Sequence, residues 1–378
     1  MSDSCCRMCA SPLPAKSLLH FNNMPAAAQF LPDAQTLAQD KGIELAVFQC
    51  ASCGLVQTGN PPVAYYKEVV RAAAFSEEMR AFRREQFAAF VQKHVLHGKK
   101  LLEVGCGRGE YLSLLQEAGT EAYGTEYAEP SVQHCLEQGL RVSRDFVDSP
   151  DHALAHAPFD AFAVLNFLEH WPDPNASLRG IAHNLEDGAI GLVEVPNFDM
   201  ILQKNLFTEF ISDHLCYFTR ETLETLLRLN GFEVLECTAI WHGYILSAVV
   251  RKRRTCDVSA FASSRQKLKN EIDGFVARHQ ESGVAIWGAG HQALASIALL
   301  GLAGEIRYVI DSAPFKQNKF TPASHIPIVA PERLRSDPVG AIIVMAASYS
   351  DEVARIIRRD WGDSIRIAIL RDFGLENI

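Results

Sequence analysis

The chain alternates short apolar runs with amphipathic stretches, and the clearest unit lies near residue 100. Leu101-Leu102-Glu103-Val104 reads as an apolar strand ending beside an acid. Gly105, Gly107 and Gly109 turn the chain sharply, and the amphipathic stretch Tyr111–Ala118 starts a helix. A helix is expected from Glu77 to His94 before this unit. Beyond it, Arg141 to Phe146 reads as a strand ending in Asp145 and Phe146, and Phe159 to Asn166 reads as a buried strand with a polar carboxyl end. A further helix, a turn at Glu186-Asp-Gly-Ala and a strand from Ile190 to Val195 continue a β-α-β rhythm, which predicts a parallel sheet covered by helices. The charge run Arg251-Lys-Arg-Arg254 reads as a solvated strand end or linker. After it come a helical stretch, Ser259 to Gln280, and a second strand-turn-helix unit at Val284–Ala293.

Composition limits the choices. A chain of 378 residues exceeds one ordinary domain, and 48% apolar with 21% charged residues suits a globular protein with real cores. A net charge of −9 argues against a nucleic-acid or anionic-membrane surface. No signal peptide or membrane-spanning run is read, and no obligate protein partner is evident. Ten cysteines without an export signal read as thiols or metal ligands, which places the protein in a reducing cytoplasm.

Four of those cysteines form two C-x2-C pairs, Cys6/Cys9 and Cys50/Cys53, able together to make a closed tetrahedral zinc site of structural type. Cys5 is an alternative to Cys6. The 40 residues between the pairs require a small subdomain to fold there.

The unit near residue 100 suits a nucleotide. Its glycines let a ligand lie against backbone, the helix start offers N–H groups, and Glu126, 23 residues beyond Glu103, closes the next strand where a carboxylate meets ribose hydroxyls. This E-x-G-x-G-x-G pattern with its second acid resembles motif I of class I S-adenosylmethionine (SAM) methyltransferases. Asp145 and Phe146 then fall where an adenine edge and face would be met, and Asn166 at a ligand-binding strand end. The later unit, Gly288-Ala-Gly290-His-Gln-Ala293 with Asp311 21 residues beyond Gly290, would alone suggest a dinucleotide site; the other reading is a Rossmann-like turn that is structural or faces another ligand.

The order of these motifs resembles three-domain, zinc-containing sugar C-methyltransferases of deoxysugar and surface-polysaccharide biosynthesis. The likeness runs through Cys6-Arg-Met-Cys9, Cys50-Ala-Ser-Cys53, the SAM turn, Asp213-His-Leu-Cys-Tyr-Phe-Thr219, Trp287-Gly-Ala-Gly, Val309 to Gln317 and Thr321 to Pro327. It implies an α/β architecture: a zinc-binding subdomain (1–78), a class I methyltransferase Rossmann-like domain (79–254) and a C-terminal Rossmann-like substrate-binding domain (255–378). The implied reaction removes the proton beside the ketone of a nucleotide-linked keto sugar, and the resulting enolate takes the SAM methyl group. Relatives carry Tyr-x-Glu-His at the catalytic position. Here the stretch is Ile211-Ser-Asp213-His214, so the resemblance implies His214 as base and Asp213 as a second polar group, with the phenol replaced by Ile211 unless Tyr65, Tyr66 or Tyr217 supplies one. His170 is implied to line the pocket. His242, where relatives tend to have glycine, marks a changed sugar contact, and Gly288, Gly290, Asp311 and Lys316 are implied substrate contacts in the last domain. The alternatives are methyl transfer to oxygen or nitrogen, which needs no α-proton, and a nucleotide-binding or NAD-dependent protein built on the G-x-G-x-x-A turn.

Overall fold

The computed structural model describes residues 5–29, 31–68 and 76–378, which form two compact units, Met1–Thr255 and Cys256–Ile378. The first begins with three strands, β1 (Leu19–Met24), β2 (Ile43–Gln49) and β3 (Val56–Thr58). Helix α1 (Glu77–Lys93) follows, with Ser76 accepting a hydrogen bond from Met79 N as its cap and Arg83, Phe87, Phe90 and Val91 on its buried face. Then come β4 (Lys100–Val104), α2 (Glu110–Glu117), β5 (Glu121–Glu126), α3 (Glu129–Glu137), β6 (Arg141–Arg144), β7 (Phe159–Leu165), α4 (Pro174–His183), β8 (Leu185–Pro196), α5 (Phe198–Lys204), β9 (Cys216–Tyr217), α6 (Arg220–Leu229), β10 (Phe232–Ile240) and β11 (Ile245–Lys252).

Seven of these strands make one sheet in the order β10-β11-β8-β7-β4-β5-β6. The strands from β8 to β6 run parallel, and β11 enters antiparallel to both β8 and β10. The chain builds outward from β4 through β5 to β6 and then crosses to β7 on the other side, so the switch point, where open α/β sheets bind ligands, lies at the carboxyl ends of β4 and β7. The expected turn at residues 186–189 is instead part of β8: the strand runs through it with a positive φ at Gly188 and a register irregularity opposite Phe159 and Ala161.

The N-terminal residues are not insulated from this sheet. β9, two residues past His214, pairs with β3 and completes the sheet β1-β2-β3-β9. Cys6, Met8, Cys50 and Leu55 share a core with Leu102, Phe162 and Trp171. Strand β3 of the N-terminal segment thus leans directly on the short strand that follows His214.

The second unit contains α7 (Ser259–Arg278), β12 (Val284–Trp287), α8 (His291–Leu300), β13 (Val309–Ile310), β14 (Lys319–Phe320), β15 (Pro327–Val329), α9 (Arg333–Ser336), β16 (Ala341–Val344), α10 (Ser350–Trp361), β17 (Arg366–Arg371) and β18 (Gly374–Asn377). Its sheet runs β14-β15-β13-β12-β16-β17-β18, parallel except at the two edges. β13, which leads into Asp311, is only two residues long. Among the described residues no helix is long and apolar enough to cross a membrane.

Candidate active site

Glu103 is the next-to-last residue of β4, in register with Gly124 and Ala163 and buried between two parallel neighbours. The backbone then folds back, with Gly105 N and Cys106 N both donating to the Thr125 carbonyl at 2.9 and 3.0 Å. Gly105 has φ +71°, and a Cβ there would lie 2.4 Å from the Phe167 ring, so only glycine fits. Gly107 N donates to Glu126 Oε2 and Ala128 N to Oε1, each at 2.9 Å. The Glu126 carboxylate therefore braces the turn while facing the same strand end. Gly109 caps α2 with φ +83°. Across the switch point Asn166 follows β7 with φ +48°, its Oδ1 buried without a hydrogen-bond partner. A buried acceptor beside a glycine cradle and a carboxylate fits the amino and hydroxyl groups of SAM.

Asp145 and Phe146 lie beside this turn. Asp145 Oδ1 accepts from Phe146 N at 2.8 Å and from His152 Nε2 at 2.7 Å. Phe146, Tyr127 and Phe167 make an aromatic wall with edge-on contacts, joined by Tyr66 at 5.7 Å from Phe146. Tyr66, expected as a possible source of the acceptor-site phenol, is part of this wall instead. Lys67 extends over the same Phe146 ring, 4.8 Å from its centroid, and bonds Asp148 at 2.8 Å.

A cavity of about 460 Å³ joins the turn to the histidines; Gly105, Gly107, Asn166, Glu169, His170 and His214 line it, with Tyr111 and Tyr244 as its phenols. Glu169 and His170 come from a helical turn after β7, and Leu215 N donates to the Glu169 carbonyl at 2.8 Å, tying that turn to the segment carrying His214. The two imidazoles meet edge-on at 4.8 Å. His170 Nδ1 donates to the Asp213 carbonyl at 2.8 Å, leaving Nε2 as its lone-pair nitrogen, 3.8 Å from Glu169 Oε1. Burial, reinforced by His170, pushes the pKa of His214 down to about 3; burial also lowers that of His170. Both rings are neutral near pH 7.

Asp213 lines the same cavity as His170 and His214, with its carboxylate held by the N-terminal segment. Its carboxylate accepts from the Tyr65 hydroxyl at 2.6 Å, Ala28 N at 3.0 Å and Ser212 Oγ at 3.2 Å. It fastens the segment around Ala28, and both Asp213 and Ala28 line the cavity. Burial and Asp213 raise the Tyr65 pKa to about 12, so that phenol stays protonated. The Tyr217 hydroxyl lies against the Ile211 backbone, 3.0 Å from its N, and burial raises its pKa as well. Neither Tyr65 nor Tyr217 lines the cavity. His242 is exposed and lies 3.8 Å from Glu78, with its neighbour Tyr244 at the cavity in its stead.

One pair escaped the sequence reading. Arg83 of α1 and Glu194 of β8 are both fully buried and form an ion pair, with Gln86 Nε2 and Ser247 Oγ also donating to Glu194. The guanidinium sits 4.8 Å from the centroid of the Tyr111 ring, which lines the cavity. Its only signal in the sequence is an arginine on the apolar stripe of a helix.

The metal-binding cysteines converge. All four sulfurs of Cys6, Cys9, Cys50 and Cys53 lie within 4.8 Å of one another, with Cys6–Cys53 and Cys9–Cys50 at 3.5 Å. Zn–S bonds of about 2.3 Å in a tetrahedron put sulfurs about 3.8 Å apart. The set fits structural zinc; Cys5 stands outside it, exposed.

In the second unit Gly288 has φ +118°, and a Cβ there would lie 2.5 Å from the Met345 carbonyl oxygen. Asp311 accepts from Ala289 N, Ala313 N and Lys316 Nζ at 2.8 to 2.9 Å. Burial raises its pKa, but the Lys316 ammonium and the two amides outweigh that and hold it below the usual carboxylate range. The carboxylate that would hold an NAD ribose is engaged in bracing the turn and its own lysine.

The strand order and the glycine turn with its two acids define a class I SAM-dependent methyltransferase fold. Comparison with known families agrees along the chain: residues 6–62 match "Putative zinc binding domain", 77–237 match "Methyltransferase domain", and 252–369 match "C-methyltransferase C-terminal domain". The chain is a methyltransferase that carries these three domain matches in that order. It is 23% identical over 369 residues to the C-methyltransferase NovU of Streptomyces niveus, covering 89% of this chain and 88% of that enzyme. It is 36% identical over 108 residues to a ubiquinone biosynthesis O-methyltransferase of Idiomarina loihiensis, covering 26% of this chain and 44% of that enzyme. Among solved structures, the PH0226 protein from Pyrococcus horikoshii is similar with a TM-score of 0.41 and 15% identity, over 50% of this chain and 98% of that one.

Proposed function

We propose that the enzyme methylates the carbon beside the ketone of a nucleotide-linked sugar, with His214 as the proton acceptor. The observation that carries the reading is one cavity lined by the Gly105–Gly107 turn and by His170 and His214 together. Bound SAM supplies an electrophilic methyl group. The Glu126 carboxylate and Asn166 Oδ1 serve as acceptors for its hydroxyl and amino groups, and the Phe146 wall packs against its base. His214, neutral near pH 7, takes the α-proton as the C–H bond breaks and its electron pair moves onto the ketone oxygen. The enolate carbon then bonds to the methyl carbon as the carbon–sulfur bond breaks. His170 holds the edge of the His214 ring, its own tautomer set by the Asp213 carbonyl.

Support for a carbon acceptor comes from the NovU likeness and the C-terminal family match; support for a nucleotide-linked sugar comes from the motif resemblance. Gly288, Gly290 and Lys316 remain substrate contacts in this reading. A cytoplasmic location goes with four cysteines serving as thiolates. A second reading, methyl transfer to oxygen, is favoured by Ile211 in place of the tyrosine, since a hydroxyl acceptor needs no enolate donor.

The test incubates the enzyme with methyl-labelled SAM and a panel of nucleotide-linked 4-keto sugars, with products read by mass spectrometry. Label on a ring carbon is the expected result. Label on oxygen transfers the conclusion to the second reading, and no labelled sugar from any member of the panel removes both.

A further inference from the structure

We infer that Glu169, His170 and His214 form a second, open metal site for a divalent cation of the zinc or cobalt type, separate from the cysteine tetrad. One carboxylate oxygen and two imidazole nitrogens lie within 4.8 Å of one another at the wall of the acceptor cavity. The His170 Nε2 to Glu169 Oε1 separation of 3.8 Å is within about an ångström of the spacing two ligands adopt around a cation bonded at about 2.0–2.2 Å.

Two features make this a built arrangement. His170 donates its other nitrogen to the Asp213 carbonyl, the orientation that metal-bound histidines take from a neighbouring acceptor. The two segments that supply the ligands are fastened to each other by Leu215 N and the Glu169 carbonyl, so the donors converge without a loop having to close. Two imidazoles and a carboxylate suit a borderline cation over magnesium or calcium. Three protein ligands leave a coordination position facing the cavity, whereas the four cysteines leave none.

The inference rests on the proposed role of His214 in one respect. The lone pair that accepts the proton is the one that would bind the cation, so metal and proton compete and a loaded site holds methyl transfer back.

The test titrates cobalt(II) chloride into enzyme that carries zinc at its cysteines. The expected result is a second equivalent of metal giving visible ligand-field bands without a thiolate-to-cobalt band, and transfer falling in step with occupancy. Glu169→Gln and His214→Asn, two nearly isosteric changes, should each weaken cobalt binding at least about tenfold while SAM binding shows that the fold persists. No metal beyond the zinc, a thiolate band, equal cobalt affinity in both variants, or unaltered transfer at full loading would each overturn the inference. Failure of the base assignment looks different: His214→Ala would transfer methyl at full rate while the unaltered enzyme still bound cobalt.

Discussion

Replacing Glu126 by alanine tests the SAM site through its best-defined side chain. The carboxylate is buried and accepts two backbone N–H groups at 2.9 Å, from Gly107 and Ala128, before any ligand arrives. Hydrogen bonds to charged groups contribute about 1.5–3 kcal/mol each. The substitution therefore acts twice, loosening the Gly105–Gly109 turn and removing the acceptor for the ribose hydroxyls. A loss of about 2–4 kcal/mol in SAM binding follows, or roughly 30-fold to 1,000-fold in Kd. Glu126→Gln keeps one acceptor oxygen and should fall between the two. Calorimetric titration with SAM gives both constants, and thermal unfolding measures how much of the effect is stability of the turn itself. An alanine variant binding within about threefold of the parent would refute the reasoning.

Arg83→Met leaves Glu194 buried with Gln86 and Ser247 as its remaining side-chain donors among the described residues, a loss of about 3–5 kcal/mol that should lower the Tm by about 10 °C in a thermal melt. Cys50→Ser should reduce zinc below one ion per chain by elemental analysis and lower methyl transfer more than SAM affinity, because β3 supports β9 next to His214. Asp311 is held below its unfolded pKa, so its contribution to stability is present above about pH 4 and lost as the pH falls further. Hydrogen exchange in β12 and β13, corrected for intrinsic rates, should show that acid-side loss in the parent but not in Asp311→Asn.

What the sequence disclosed was local. Glycines at alternate positions after an apolar strand, and an acid closing the next strand, sit within 24 residues, so the turn can be read from spacing alone. Each cysteine pair is equally local in the sequence, and the four sulfurs converge in the fold. The unread features join distant segments. Arg83 meets Glu194 across 111 residues, and Tyr65 meets Asp213 across 148. No pattern of period two or 3.6 announces either, because each polar group is buried by a partner elsewhere in the chain. The two-residue strand Cys216–Tyr217 was hidden for a similar reason: it is a strand only because β3 lies beside it. Tyr66, a candidate substitute for the missing phenol, packs in the aromatic wall, and His242, a sugar contact by resemblance, is exposed beside Glu78.

The central claim is that His214 removes a carbon-bound proton. Proton NMR in deuterated water, with the sugar substrate and S-adenosylhomocysteine in place of SAM, measures that step without methyl transfer. The expected result is loss of the signal of the proton beside the ketone with the parent enzyme, and its retention with His214→Ala, a variant that still binds SAM. An enzyme that methylates its substrate yet exchanges no carbon-bound proton, or a His214→Ala variant that exchanges at the parent rate, would contradict it.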